Sequence, residues 1–298
     1  MLFPISGVEA PLWLPPLVSF VVSFFTSMAG VSGAFLLLPF QMSYLGFVTP
    51  AVSPTNLVYN VVAIPSGVYR FLKEGRMVWP LTWVVVAGTL PGVVAGGFMR
   101  LKWFLDPKPF KLFVGAVLLY IAGRMALDVY KLLRGQAAKP KAPAPGEFRV
   151  KILSFTPLRL AYRFQGQDYA CGTLGIFSLS LVVGLIGGIY GIGGGAIIAP
   201  FFVAIYGLPV HTVAGAALMG TFITSIAGVA FFQFIAPWYG NLSVAPDWLL
   251  GLMFGLGGVA GIYLGARCQR FVPAVWLKAM LVALMLYVGG RYVVLYFF

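Results

Sequence analysis

The stretch Gly187-Gly-Ile-Tyr-Gly-Ile-Gly-Gly-Gly195 decides how this chain folds. It interrupts an apolar region, Thr173–Tyr206, that is too long for one crossing of a hydrocarbon core, which takes about 20 residues. Six glycines in nine positions turn a chain or unwind a helix, because nothing restricts the backbone there. The region is therefore predicted to form a re-entrant or tightly broken helix pair. A second such region, Leu12–Leu45, is broken around Met28-Ala-Gly-Val-Ser-Gly33, and its second limb, Phe35–Leu45, is short for a full crossing.

The two regions belong to a repeat. Sliding the chain by 161 residues aligns Gly30–Gly67 with Gly191–Gly228 without a gap, with eight identities in 38 positions. Most of these are glycine or proline, for example Gly33 on Gly194 and Pro39 on Pro200, and their placement reflects backbone shape rather than general apolarity. Further on, the Val-Ala-Gly ending at Gly96 matches the one ending at Gly261, and Tyr120-Ile-Ala-Gly-Arg124 matches Tyr287-Val-Gly-Gly-Arg291. Three ordinary spans follow each broken pair, at 52–72, 78–99 and 111–131, then at 212–235, 247–266 and 275–297. The expected organisation is a first transmembrane repeat (1–130), a basic linker (131–170) and a second repeat (171–298). The fold class is an all-α polytopic membrane protein.

Composition supports that class. The 298 residues are 60% hydrophobic and only 9% charged, against roughly a quarter charged in soluble domains. The formal charge of +13 falls mainly between apolar spans, so it reads as topology signal and contact with lipid headgroups. No nucleic-acid motif accompanies it. The linker carries eight basic and two acidic residues, with the run Lys139-Pro-Lys-Ala-Pro-Ala-Pro145, which places it in the cytoplasm of a cell whose inner membrane holds the spans. If the broken pair crosses twice or not at all, each half has an odd number of crossings and the second repeat is inverted relative to the first. The positive-inside rule fits that arrangement except at Arg100–Lys111, which would lie outside despite four basic residues.

An inverted repeat with broken helices puts its binding site near the midplane, where helix N-termini offer unpaired N–H groups suited to an anion. Gly193, Gly194 and Gly195 are the strongest candidates, because glycine lets a ligand approach the backbone; tight helix packing by small residues is the competing reading. The stretches GIGGGAIIAP at 191–200 and GVSGAFLLLP at 30–39, with Pro54-Thr-Asn56, resemble the TauE/SafE sulfite-exporter family. The resemblance covers both halves and implies a transporter of small sulfur-containing or organic anions such as sulfite or sulfoacetate. Ser32 and Ala34 depart from the glycine pattern in the first half, which leaves Ser32 and Gly33 as its counterpart contacts.

Polar residues within spans extend the candidate site. Thr55, Asn56, Tyr59 and Asn60 follow the first hairpin, and Thr221, Thr224 and Ser225 occupy the related segment of the second. One-turn spacing puts Asn56 and Asn60 on one face, and likewise Thr221 and Ser225. Their amide and hydroxyl donors suit either an anion or a neighbouring helix. His211, the single histidine, and the repeat-matched Arg124 and Arg291 are candidates for gating or anion attraction, against capping and snorkelling roles. No carboxylate falls in mid-span and no metal-ligand spacing occurs, so no cofactor, metal or enzymatic activity is expected. The small anion and membrane lipids are the expected partners. The alternatives are a non-transporting membrane subunit and an importer of another organic anion.

Overall fold

With no water in hydrocarbon, each spanning segment must satisfy its own backbone, which leaves helices as the economical solution here. The computed structural model describes all residues except 29–31, 135–148, 241, 269–273 and 298. Its described residues form the helices α1 (Leu14–Met28), α2 (Ala34–Ser43), α3 (Val52–Lys73), α4 (Trp79–Trp103) and α5 (Pro107–Leu133), then α6 (Thr173–Tyr190), α7 (Ile198–Tyr206), α8 (Val210–Ile235), α9 (Trp248–Cys268) and α10 (Ala274–Phe297). Among the described residues six helices are long and apolar enough to cross a membrane. The 22-residue α3 is not one of them, because it carries Ser53, Thr55, Asn56 and Asn60. All four are buried, so lipid does not face them.

Two ends of the bundle can be told apart. At the amino-terminal face, the Ser6 N–H and Oγ donate to Asp247 Oδ2 at 3.0 and 2.8 Å, and the Ala51 N–H donates to the Ser243 carbonyl at 3.0 Å. Asp247 also caps α9 by accepting from the Leu250 N–H at 3.1 Å. The starts of α3 and α9 thus lie at this face. At the opposite face, the Val150 N–H donates to the Gly75 carbonyl and the Tyr162 hydroxyl meets Thr212 Oγ1 at 2.8 Å. That brings together the α3–α4 turn and the start of α8. Helix α3 therefore runs opposite to α8, and α4 opposite to α9.

Packing repeats as well. Helix α1 lies along α9 and α6 along α4, α5 pairs with α10, and α3 sits against both α8 and α9. Glycines at four-residue spacing make the first two contacts backbone to backbone. A Cβ at Gly88, Gly92 or Gly96 of α4 would meet the carbonyls of Phe177, Leu181 and Leu185; one at Gly257, Gly261 or Gly265 of α9 would meet those of Pro16, Phe20 and Phe24. The carbonyl partners differ by 161 residues in every case, the offset read from the sequence. On the glycine side the offset is 169, so packing pairs Gly96 with Gly265, one helical turn beyond the Gly96–Gly261 match. Outward, α5 and α10 expose large apolar side chains such as Leu127, Leu284 and Tyr287, as lipid-facing helices do.

The segment expected as linker is in part folded. Helix α5 runs on to Leu133, and an antiparallel meander follows residues 135–148: β1 (Lys151–Phe155), β2 (Arg159–Phe164) and β3 (Gln167–Gly172), in the order β1-β2-β3. Gln165 and Gly166 both have positive φ, as a two-residue hairpin with matching twist requires. Leu160, Tyr162 and Phe164 of β2 are buried against the helices, which explains why a charged stretch holds a fixed structure. Burial also pushes the Cys171 thiol up to about 11. At pH 8 only roughly a thousandth of it is thiolate, the reactive form. In a Cys268→Ser protein, maleimide labelling of Cys171 should therefore be slow at pH 8 and rise about tenfold per pH unit towards pH 10. Rapid labelling independent of pH would mean that β3 does not pack as described.

Candidate functional site

The second hairpin breaks where its glycines allow it. Helix α6 ends as Gly191 enters the left-handed region (φ 82°), and the N–H groups of Gly191 and Ile192 both donate to the Gly187 carbonyl, at 2.9 and 3.1 Å. Gly193 is also left-handed, at φ 83°. Breaking the helix frees carbonyls that cannot stay unpaired in an apolar interior. The Asn56 side-chain amide donates to the Gly191 carbonyl at 2.8 Å, and that of Asn60, one turn further on, to the Ile192 carbonyl at 2.9 Å. The Gly194 N–H donates to Thr224 Oγ1 at 2.9 Å.

Asn56 does more than close one break. Its Nδ2 also donates to the carbonyl of Ala34, the first residue of α2, at 3.0 Å, and its Oδ1 accepts from Gln41 Nε2 at 3.3 Å. A single buried amide thus joins the start of α2 to the break of the other hairpin. The Tyr190 hydroxyl adds a second link by donating to the Phe35 carbonyl at 2.7 Å. Gly193 packs on Thr221 and Ser225 in the middle of α8, and Gly194 on Thr89 in the middle of α4. The junction therefore lies deep between the two faces.

The structure gathers most of the expected residues here. Asn56 and Asn60 bond the break at Gly191 and Ile192, and the following glycines pack on Thr221 and Ser225 (Gly193), Thr89 (Gly194) and Thr221 (Gly195). In this conformation protein atoms fill the space around the glycines: a Cβ at Gly194 would lie 2.5 Å from Thr89 Cβ, and one at Gly195 would meet the Ala217 carbonyl. Thr221 Oγ1 donates back to the Ala217 carbonyl at 2.8 Å, while Ser225 Oγ is buried without a partner among the described residues. Gly33 faces the Ser23–Tyr59 hydroxyl pair, which is 2.8 Å apart, and Ser32 Oγ accepts from the Ala34 N–H at 3.3 Å. Thr55 stands apart: it donates to the Ala51 carbonyl and accepts the Asp247 N–H at 2.9 Å, fastening α9 rather than a hairpin. Arg124 is half-buried and lines a cavity of about 20 Å³ with Phe35, Ala196 and Ile197, space for about one water. Arg291 is exposed on α10. His211 stands in the first turn of α8, and its side chain lies outside the described residues.

Arg100 is a buried charge that sequence reasoning does not single out. Helix α4 continues to Trp103, so Arg100 is an intrahelical residue and fully buried. Its Nε donates to Ser53 Oγ at 3.4 Å and its guanidinium carbon lies 3.6 Å over the Phe110 ring. Among the described residues neither Nη1 nor Nη2 has a hydrogen-bond partner. Burying a charge costs several kcal/mol even after relaxation, which a cation–π contact worth about 2 kcal/mol and one long hydrogen bond do not offset. Ser53 in turn packs on Gly191, whose Cβ would lie 2.6 Å from Ser53 Cα. The one sequence signal for Arg100 was the misfit to the positive-inside rule at Arg100–Lys111.

Apolar helices around a buried polar junction of two broken hairpins define a multi-pass α-helical membrane protein of the transporter class. The chain belongs to the family described as Sulfite exporter TauE/SafE, which it matches over residues 16–292. This is a family of membrane transporters, as the glycine motifs had implied. No curated protein and no solved structure matches the chain.

Proposed function

We propose that this protein exports a small anion, such as sulfite, sulfoacetate or another organosulfonate, across the cell's inner membrane by alternating access. The observation that carries the reading is the bridging amide of Asn56, bonded to Ala34 at the start of α2 and to Gly191 at the second break. A junction of that kind couples two moving parts: when one hairpin shifts, donors held by backbone carbonyls become free for the oxygens of an anion. Asn56, Asn60, Thr221, Ser225 and the glycines at 193–195 line the transport site in this reading, with Ser32 and Gly33 on the first hairpin and Arg124 drawing the anion in.

The opposed directions of α3 and α8 and of α4 and α9, together with the 161-residue offset between the packing carbonyls of α1 and α6, support an inverted repeat as the rocking unit. Lys73, Arg76, Lys151, Arg159 and Arg163 lie at the sheet face, which supports a cytoplasmic side there. A negative interior then favours anion efflux by about 2.3 kcal/mol per charge per 100 mV. Purified protein in liposomes should carry sulfite or sulfoacetate outward down an imposed potential, faster than protein-free vesicles. No flux for any of sulfite, sulfoacetate, taurine, thiosulfate and lactate would refute the proposal.

A further inference from the structure

We infer that Arg100 is the anion-binding charge on the exit side of the pathway, where Nη1 and Nη2 take two oxygens of a sulfonate, sulfite or carboxylate group. The inference rests on the transporter reading above and adds to it the position and shape of one anion contact. The side chain is held from two directions, by Ser53 at Nε and by the Phe110 ring against its face. That leaves the two terminal nitrogens, which form the fork that matches an oxyanion in the bidentate mode. Both are buried and lack a partner among the described residues. Ser53 links the guanidinium to Gly191, so the fork sits beside the break of the second hairpin, on its amino-terminal side.

The surroundings fit an anion in transit. Lys102 is exposed in the last turn of α4, and Lys108 and Lys111 begin α5 at the same face. Three lysines at the face opposite the basic sheet, with Arg100 buried beneath them, run against the topology rule. A positive exit that draws the anion from the junction accounts for their placement. Lysine is not equivalent to arginine at such a point, because an ammonium offers no planar fork.

Stability and binding together test this. In low-salt buffer without added oxyanion, Arg100→Gln removes an unpaired buried charge and should hold or raise the melting temperature, whereas loss of a structural arginine would lower it. Added sulfoacetate should raise the melting temperature of the wild type and leave that of Arg100→Gln unchanged. By calorimetry Arg100→Lys should bind sulfoacetate about 10–100-fold more weakly, the loss of one charge-assisted hydrogen bond, while chloride competes about as well as before. If Arg100→Gln does not fold, Arg100→Lys decides. Wild-type sulfoacetate affinity in Arg100→Lys, or an undiminished melting shift in Arg100→Gln, overturns the inference and leaves the transport reading standing. A wild type that neither binds nor carries any anion overturns both.

Discussion

Replacing Asn56 with alanine should abolish transport and cost the fold about 2–5 kcal/mol. The substitution orphans three buried groups at once, the carbonyls of Ala34 and Gly191 and the Gln41 amide. In a water-soluble core each would cost about 1–3 kcal/mol. Between membrane helices the measured average is nearer 0.6 kcal/mol per bond, because the unfolded chain also finds partners, and the lower end of the range reflects that. Asn60→Ala removes one donor, to Ile192, and should cost about 1 kcal/mol with partial flux. Flux in liposomes and unfolding in mixed detergent micelles compare the two. Equal losses for Asn56→Ala and Asn60→Ala would show that the bridge between the hairpins has no special weight.

The glycine ladders should be at least as sensitive. Valine at Gly92 or Gly261 must displace a neighbouring backbone, since even a Cβ would lie 2.5 Å from the Leu181 or Phe20 carbonyl. Overpacking typically costs 1–3 kcal/mol when side chains can yield. Here a whole helix would have to move, so about 3 kcal/mol or more per site is expected, and the double variant should yield little folded protein. Gly123 and Gly290 serve as controls, because nothing lies within 4 Å of a Cβ at either. Alanine at these two should be neutral or add up to about 1 kcal/mol through helix propensity. Thermal melting in detergent makes the comparison. A Gly92→Val protein as stable as wild type would sink the idea that α4 and α6 pack through their backbones.

These expectations draw unequally on sequence and structure. The spans were legible because an apolar run of fixed length has few alternatives in a bilayer, and glycine and proline carried the repeat because they record backbone shape. The Gly96–Gly261 match was off by one helical turn: a shift of four residues keeps a glycine on nearly the same face, so local likeness cannot fix which turn meets the neighbour. The meander at 151–172 was hidden by its charge, although Leu160, Tyr162 and Phe164 alternate before the Gln165-Gly166 turn. Asn56 and Asn60 stood out as polar residues in apolar surroundings, yet nothing local showed that their donors hold broken backbone. Arg100 looked like a loop charge, since only the approach of Ser53 and Phe110 from elsewhere in the chain buries it.

The sequence by itself determined that this is a polytopic helical membrane protein whose glycine-rich stretches at 28–33 and 187–195 interrupt apolar regions. Hydrophobic length and backbone freedom are local properties, and local properties are written in the order of residues. Only the tertiary structure decided that one asparagine joins the two hairpins, that the glycines at 193–195 are close-packed in this conformation, and that Arg100 lies buried on Ser53 with two nitrogens lacking a partner among the described residues. Hydrogen-bond satisfaction and burial depend on partners 135 to 241 residues away in the chain, and no window along the sequence contains them.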